Sequence, residues 1–507
     1  MRERALRLAL AENPALPGRL VSRLIDGADE DLADRLAGRA DLDRAQVLAL
    51  AGQSDDVAAV LAGRGLLEAE AVDPLDRPYT AMVLIEEGRG REEWAVAFAD
   101  DPETKWRVLL AACPRLPARV NLLLAADPDF EVVTELACFT TESDLLARLA
   151  GHPCADVRAA VASNPATPPP VLAELVTQRS GTPSSICVVC ARESVPFVHD
   201  PNCPRLDCEL PPGAECDGTH QFVIHNLLVK AVDNSATPVD ALAGLTGHPS
   251  IFVRWALAGR ADLPAADAEI LAADQSAGVR AAAAAHPGLS EATIRRLSGD
   301  GNGEVRWRVA RNPSVPLDVL AGLGRINSGR IPPRIADAGP DEVRELAASP
   351  SPQLRMLLAE RRDLPPEVRD RLARDPDAKV LKAVAPHPGL SEELLRDMVS
   401  RHGARVIVPV AVNPDASAGL LFDLARHLPP VPKVFREIAG RADAPAEVLE
   451  LCLADPRARP IAAAHPALPP DRIVELLADG DDRVAAAAAA NPALPVSEMF
   501  RLLGPVP

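Results

Sequence analysis

Residues 253–264 read VRWALAGRADLP, and the pattern returns as VRAAAAAHPGLS at 279–290 and as VRWRVARNPSVP at 305–316. An apolar anchor therefore recurs every 26 residues. A fixed period of this length is typical of repeat proteins, in which each unit buries its apolar face by stacking on its neighbours. Extending the frame in both directions gives thirteen further anchors: Leu6, Leu32, Val57, Trp106, Val132, Val157, Leu227, Leu354, Val380, Val406, Val434, Ala458 and Val484.

Two other positions, each at a fixed distance after the anchor, hold the same type of residue in nearly every repeat. Such a position, compared across the repeats, is called a column below. Five residues after the anchor lies alanine in fifteen of the sixteen units, with Val232 as the exception. Seven residues after the anchor lies Asn, Arg or His in fourteen units, with Cys113 and Phe139 as the exceptions. The anchor and the positions four and five residues later share one face of a helix. The small alanine on that face predicts that neighbouring helices approach closely.

A turn and a second helix complete each unit. Proline often follows the polar residue at once, and the residue before a proline is disfavoured in a helix. The polar side chain is then placed to bind carbonyl groups left free at the helix end. A second apolar stretch follows, such as PPVLAELV or SEELLRDMV, and proline or serine often opens it. The intervals Val57–Trp106 and Val305–Leu354 are each 49 residues, so each is predicted to contain one degenerate unit.

The motif DVRAAVASNPATP at 156–168 resembles the leucine-rich repeat variant family, and related segments extend the resemblance over 1–176 and 227–507. That family builds right-handed superhelices from alternating α and 3₁₀ helices, without sheet. The resemblance therefore implies an all-α, right-handed α-solenoid of about eighteen two-helix repeats of ~26 residues. It specifies how the chain packs and carries little information about function.

A cysteine-rich segment interrupts the repeats. The interval from Val157 to Leu227 is 70 residues, so about 44 residues are extra, and they correspond to 183–226. The segment is poor in apolar residues, so metal ligation would have to supply the stability that a core cannot. We therefore expect helical repeats in 1–182, a metal-binding insertion in 183–226 and helical repeats in 227–507. The potential ligands are Cys187, Cys190, His199, Cys203, Cys208, Cys216, His220 and His225.

Structural Zn²⁺ is the favoured metal. The pair Cys187 and Cys190 places two thiolates on one tight turn, and two more ligands would close a tetrahedron with no open position. The favoured ligands are Cys187, Cys190, Cys208 and Cys216, with Cys203 and His220 as substitutes. An iron–sulfur cluster is the first alternative, because the resembled family includes an iron–sulfur module and Cys203 precedes a proline, as in some cluster motifs. That module precedes the repeats, however, whereas this segment interrupts them. The second alternative is a cysteine-rich loop without metal.

A candidate partner surface comes from the column one residue after the anchor, which is arginine in eight units. Tryptophan and arginine are the side chains most often found at binding hot spots. Alternatively, the arginines pair with nearby acids such as Asp156 and Glu304, and the tryptophans cover the core. The predicted surface consists of Arg254, Trp255, Arg280, Arg306 and Trp307, and the arginine column also includes Arg7, Arg107, Arg158, Arg355 and Arg459.

Composition narrows the possible functions. The 507 residues exceed the roughly 250–300 at which a single core stops growing, which favours an array. The net charge of −18 disfavours nucleic acid and anionic lipid as partners. No long apolar run predicts a membrane span, and the N-terminus lacks the apolar core of a signal peptide, so a cytoplasmic location is expected. Cys113, Cys138, Cys154 and Cys452 lie in apolar helices and are interpreted as small core residues.

The sequence thus predicts a non-enzymatic scaffold that binds a protein or peptide and contains a structural zinc module. The chain has none of the common phosphate-loop, dinucleotide, zinc-protease or nucleophile-elbow motifs. An iron–sulfur protein that senses oxidation or transfers electrons is the alternative. A helical-repeat enzyme acting on DNA lesions is a second alternative, against which the acidic balance and the lack of a basic groove both count.

Overall fold

The computed structural model describes residues 2–177, 185–187, 220–323 and 331–504. Throughout these ranges the backbone forms helices joined by turns, and no β-strand occurs in them. One isolated parallel bridge pairs Cys154 with Ile186. The all-α repeat architecture predicted from the sequence is therefore confirmed for this part of the chain. No described helix is long and apolar enough to cross a membrane.

The chain divides into two compact units, and both ends of the chain contribute to the same one. The first unit comprises Met1–Leu67, Ser328–Ile331 and Ile335–Pro507, and the second comprises Glu68–Asn327 and Pro332–Arg334. The domain boundaries expected at 183 and 226 stay a prediction, because most of the cysteine-rich segment lies outside the described residues.

Each repeat begins with a helix, here called the first helix, which in most repeats starts two to four residues before the anchor and contains it. The first helices are Arg2–Ala11, Glu30–Ala37, Asp55–Gly63, Pro78–Glu86, Thr104–Ala111, Phe130–Phe139, Ala155–Ser163, Gln221–Asp233, Ile251–Ala258, Ala277–Ala284, Gly303–Val309, Pro333–Ala336, Pro352–Ala359, Ala378–Val384, Ile407–Ala411, Pro432–Ala439, Arg459–Ala463 and Asp482–Ala490.

The second helix of each repeat follows the turn. The second α-helices are Gly18–Asp26, Arg44–Ala51, Glu92–Ala99, Ala118–Leu124, Ser143–Leu149, Pro169–Thr177, Ala265–Leu271, Glu291–Ser298, Leu317–Gly322, Pro340–Ala347, Pro366–Leu372, Glu392–His402, Ala418–Ala425, Ala446–Cys452, Pro470–Leu476 and Val496–Leu503. The 3₁₀ helices are Ala69–Ala71, Val239–Leu242, Leu245–Gly247 and Gly403–Arg405.

Both degenerate repeats that the sequence predicts are present, so the predicted number of repeats is confirmed in the described residues. The helices Pro78–Glu86 and Glu92–Ala99 fill the first 49-residue interval, and Pro333–Ala336 and Pro340–Ala347 lie in the second. The described residues therefore contain eighteen first helices.

The second helices differ from what the resemblance implies. Alternation of α with 3₁₀ helices was expected, yet most second helices are α-helical. Serine caps several of these helices by accepting a hydrogen bond from an N–H of the first turn, which stabilises an α-helical start. Ser290, for example, accepts a hydrogen bond from the N–H of Thr293 at 3.3 Å, and Ser391 does the same for Leu394.

The alanine column lies where the first helices meet. All fifteen alanines five residues after the anchor are at most 3% exposed, and so is Val232. Helices that meet at alanine approach more closely than helices that meet at larger side chains. The anchors lie beside this column, and Val253, Val279 and Val305 are completely buried. The core of each compact unit is thus a continuous stack of small and branched aliphatic side chains.

The polar column links most repeats to the one before them. The amide Nδ2 of Asn312 donates to the main-chain oxygens of Ala284 at 3.0 Å and His286 at 2.8 Å. Its Oδ1 accepts from the N–H of Ser314 at 2.8 Å, which holds the turn after its own helix. The sequence predicted that this column binds freed carbonyls, and the structure shows that they belong to the preceding repeat. The same bridge to the preceding repeat is made by Asn164, Asn234, Asn413, Asn491, Arg39, Arg64, Arg260, Arg361 and Arg441. Asn13, in the first repeat, makes it to the last repeat.

In the first compact unit, the first repeat stacks on the last one. Arg2 donates to the main-chain oxygens of Leu477 at 3.1 Å and Asp479 at 2.6 Å. Arg23 donates to the oxygen of Leu503 at 2.9 Å. These contacts bury Leu10, which is completely inaccessible to solvent. Within this unit, the first and last repeats therefore contact each other as neighbouring repeats do.

Candidate functional site

The described parts of the cysteine-rich segment are attached to the start of a first helix. The N–H of Ser185 donates to the oxygen of Pro153 at 3.1 Å, and the N–H of Ala155 donates to the oxygen of Ile186 at 2.9 Å. Cys187 follows directly and is 1% exposed. The segment thus leaves the array with its first predicted ligand buried beside the helix Ala155–Ser163.

His220 lies where the segment rejoins the array. It precedes the helix Gln221–Asp233, is 5% exposed and has a φ of 55°, a left-handed conformation that non-glycine residues rarely adopt. His225 lies one turn into that helix, where its Nε2 lies 2.6 Å from the hydroxyl oxygen of Ser250. His225 is therefore engaged with the following repeat.

The array continues past the segment without a gap. The amide of Asn234, on the far side, donates to the main-chain oxygens of Ala162 and Asn164 at 3.0 Å each. These are the contacts that neighbouring repeats make elsewhere. The cysteine-rich segment is therefore an excursion between two repeats that stack directly on one another.

Of the six predicted metal ligands, Cys187 and His220 lie in the described part of the chain. Within that part, no three histidine, cysteine or acidic side chains are grouped closely enough to hold a metal ion. The ligand prediction is therefore neither confirmed nor contradicted. Cys190, Cys203, Cys208, Cys216 and the further candidate His199 lie outside the described residues.

The four scattered cysteines lie in the helical array, as predicted. Cys113, Cys154 and Cys452 are buried and Cys138 is half-buried. Burial raises the pKa of the Cys113 and Cys452 thiols to about 12, because a thiolate loses its hydration there. These thiols are therefore protonated and unreactive at neutral pH.

Five of the eight arginines that follow an anchor form ion pairs with aspartates twenty residues further along the chain. Arg254 binds Asp274 through both edge nitrogens, with Nε–Oδ2 at 2.6 Å and Nη2–Oδ1 at 3.2 Å. Arg280 binds Asp300 in the same way at 2.8 and 3.1 Å. The same spacing joins Arg107 to Asp127, Arg355 to Asp375 and Arg459 to Asp479.

These pairs change the composition of the predicted partner surface. The side chain of Arg254 is 6% exposed and that of Arg280 is 20% exposed, so both guanidinium groups are turned into the array. The alternative that the arginines pair with acids holds for these two residues. The partner acids differ from those that the sequence suggested. Glu304, one of the suggested acids, pairs with Arg308 at 3.0 Å.

The tryptophans after the arginines lie toward solvent. Trp255 is 54% exposed, and Phe252 on the same helix is 41% exposed. Trp307 is half-buried, with the guanidinium carbons of Arg308 and Arg311 at 5.3 and 5.8 Å from its ring centre. Ala281 occupies the same position in the repeat between them and is 5% exposed. Phe252, Trp255, Ala281, Arg306 and Trp307 are called the tryptophan face below.

An aromatic cluster that the sequence reasoning missed lies at Tyr79 and Trp106. Their rings meet edge to face with centres 4.9 Å apart. The ammonium of Lys105 lies 4.6 Å from the Tyr79 ring centre and 4.7 Å from that of Trp106. The sequence feature that could have indicated this cluster is the concentration of aromatic residues between 79 and 106, in a chain with only 3% aromatic residues.

Comparison with known proteins supports the repeat assignment. Residues 155–180 match the model of the family described as leucine rich repeat variant. The resemblance inferred from the motif at 156–168 is thus confirmed, and the chain is a helical repeat protein. None of the curated proteins compared with the chain matches it.

Solved structures similar to the chain include the following two. One is a leucine-rich repeat variant with a novel repetitive structural motif, at 19% identity and a TM-score of 0.30, over 54% of this chain and 87% of that one. The other is a chain from the structure of the Pds5–Scc1 complex, at 13% identity and a TM-score of 0.15, over 99% of this chain and 72% of that one.

Proposed function

We propose that the protein is a non-enzymatic scaffold that binds a protein or peptide partner on the tryptophan face. The observation that carries the proposal is the exposure of Trp255 and Phe252 side by side on one helix, at 54% and 41%. Tryptophan is among the side chains that contribute most to binding when a partner covers them. Packing within the array does not require it, because the same position is alanine in the neighbouring repeat.

The double substitution Trp255→Ala with Trp307→Ala tests this proposal. The variant is expected to lose a partner that the parent captures from native lysate and that chemical cross-links join to the helix Ile251–Ala258. The control is Ile270→Ala, because Ile270 is 56% exposed on the second helix Ala265–Leu271, outside the tryptophan face. Equal capture by the parent and a folded double variant would refute the proposal.

The cysteine-rich segment is proposed to be a structural zinc module inserted between two repeats of the scaffold. Its support is the ligand spacing together with the fixed positions of Cys187 and His220, which are both buried at the points where the segment leaves and rejoins the array. Zn²⁺ held by four such ligands would have no open position, so its role would be to fold the segment. Metal-bound thiolates suit a reducing compartment, and we propose that the protein is cytoplasmic.

Metal analysis and an absorption spectrum of anaerobically purified protein test the module. One zinc ion per chain and a colourless protein are expected. A brown protein that contains iron would instead support the iron–sulfur alternative. Cys187→Ser should lose the metal and make the segment sensitive to protease, while the helical circular dichroism of the array stays close to that of the parent. Cys113→Ser, in the core, is the control that should retain the metal. Fresh protein without any metal would contradict the module.

A further inference from the structure

The arginine–aspartate pairs have a fixed geometry that includes a third contact. In Arg280, Nε and Nη2 bind the two carboxylate oxygens of Asp300, and Nη1 donates to the main-chain oxygen of Asp274 at 2.9 Å. Arg355 repeats this arrangement with Asp375 and the oxygen of Ser349 at 2.7 Å. The main-chain contact holds the guanidinium in place, and its other edge is the part that receives a carboxylate.

Arg306 keeps the main-chain contact without the carboxylate. Its Nη1 donates to the oxygen of Asp300 at 2.5 Å, as in the complete pairs. Twenty residues further on, however, the chain has isoleucine at 326, and residues 324–330 read GRINSGR with no acidic residue. Among the described residues, no carboxylate forms an ion pair with Arg306, and its side chain is exposed. The carboxylate-binding edge, Nε and Nη2, is therefore open to a partner.

The surroundings of Arg306 favour an acidic and partly apolar ligand. The first helix Gly303–Val309 carries Arg306 and Arg308 against the single acid Glu304, which pairs with Arg308 at 3.0 Å. This local excess of positive charge contrasts with the net charge of −18 for the whole chain. Trp307 is the next residue, and Trp255 occupies the same position two repeats earlier. With neighbouring helices about 8–10 Å apart, an extended peptide of a few residues spans from one tryptophan to the other.

We propose that the tryptophan face binds an acidic peptide segment whose aspartate or glutamate carboxylate pairs with the Nε and Nη2 edge of Arg306. The carboxylate takes the position that Asp274, Asp300 and Asp375 occupy in the complete pairs. Apolar side chains next to it in the peptide contact Trp255 and Trp307. The proposal rests on the proposed function, and it adds the chemical class of the partner and the residue that selects it. Arginine suits this role because its planar guanidinium binds a carboxylate with two hydrogen bonds.

Selection from a random ten-residue peptide library displayed on phage tests the inference on the full-length protein. Peptides that combine Asp or Glu with an apolar residue should be enriched. In fluorescence polarisation, Arg306→Gln should weaken the best such peptide about tenfold or more, since charge-assisted hydrogen bonds are lost. Arg306→Lys should recover little of the affinity, because lysine keeps the charge without the two-pronged geometry. Arg119→Gln, at an exposed arginine on the second helix Ala118–Leu124, should leave the affinity unchanged.

Three results would overturn the inference. The first is enrichment of peptides without acidic residues, the second is equal binding by Arg306→Gln and the parent, and the third is no enrichment at all. Peptides whose binding depends on Trp255 but not on Arg306 would refute this inference and leave the proposed function standing. Lysate capture that does not depend on Trp255 would refute the proposed function itself.

Discussion

The side-chain amide of Asn13, in the first repeat, donates to the main-chain oxygen of Asn491, in the last repeat, at 2.7 Å. It also donates to the oxygen of Ala489 at 3.0 Å. Asn491 makes the same two contacts with the repeat before it, to the oxygens of Ala463 at 2.8 Å and His465 at 2.9 Å. Both asparagines are completely buried. The hydrogen bonds between repeats therefore pass from the end of the chain to its beginning as if the two repeats were consecutive.

Asn13→Ala should weaken this junction as much as Asn312→Ala weakens an internal one. Each change leaves two buried carbonyls without their donor, which costs about 1–3 kcal/mol. Hydrogen exchange of the amides in the helix Asp482–Ala490 measures the effect for Asn13→Ala, and exchange in Ala277–Ala284 measures it for Asn312→Ala. Normal protection of Asp482–Ala490 in Asn13→Ala would show that the first repeat does not stack on the last in solution.

His286→Asn should stabilise the protein. His286 lies in the polar column and is 6% exposed, and its buried Nε2 has no hydrogen-bond partner. Asparagine in this column donates to two carbonyls of the preceding repeat, so the change should add about 0.5–1.5 kcal/mol to the free energy of unfolding in urea. His465→Asn is the control with a smaller expected gain, because the Nε2 of His465 already bonds the oxygen of Arg441 at 2.7 Å. Equal gains at both positions would contradict the assignment.

Ala489→Leu should destabilise the array, whereas Ala487→Leu should have little effect. Ala489 is completely buried between first helices, and a larger side chain there would cost about 1–3 kcal/mol through overpacking. Ala487 lies on the same helix and is partly exposed, so both variants share the same change in helix propensity. Urea unfolding compares the two.

The ion pair between Arg280 and Asp300 should make the free energy of unfolding depend on pH. The hydrogen bond from Arg280 lowers the pKa of the Asp300 carboxyl. A group with a lowered pKa in the folded state contributes stability above its unfolded pKa, about 3.9, and loses it as the pH falls through the folded pKa. Asp300→Asn should therefore be less stable than the parent at pH 7, and the difference should shrink below about pH 4. Asp341→Asn, at an aspartate that is 97% exposed, should show a smaller change. A difference that stays constant with pH would contradict the role of this pair.

Much of the fold could be predicted from the sequence, because stacking repeats require a constant spacing. The alanine column and the two degenerate units follow from spacing alone. The targets of the polar column could not be predicted, because a side chain that binds its own helix end and one that binds the preceding repeat have the same spacing. The contact between Asn13 and Asn491 also leaves no local signal, since the sequence near each residue resembles any other repeat.

The exposure of the residues in the proposed partner surface could be predicted only in part. The spacing of twenty residues that pairs Arg254 with Asp274 is visible in the sequence, and aligning the aspartates would have shown that these arginines are satisfied internally. The same alignment shows that Arg306 is one of three arginines without such an aspartate, because Arg7, Arg158 and Arg306 have Gly27, Gln178 and Ile326 at the corresponding positions. Exposure of Trp255 could not be read from the sequence, because tryptophan occurs both in cores and at interfaces.

Hydrogen exchange with and without a selected acidic peptide tests the central claim, that the partner binds the tryptophan face, most directly. The account predicts that the peptide slows exchange in the first helices Ile251–Ala258 and Gly303–Val309 and leaves the second helix Ala265–Leu271 unchanged. Protection confined to the second helices, or to the cysteine-rich segment at 183–226, would contradict it.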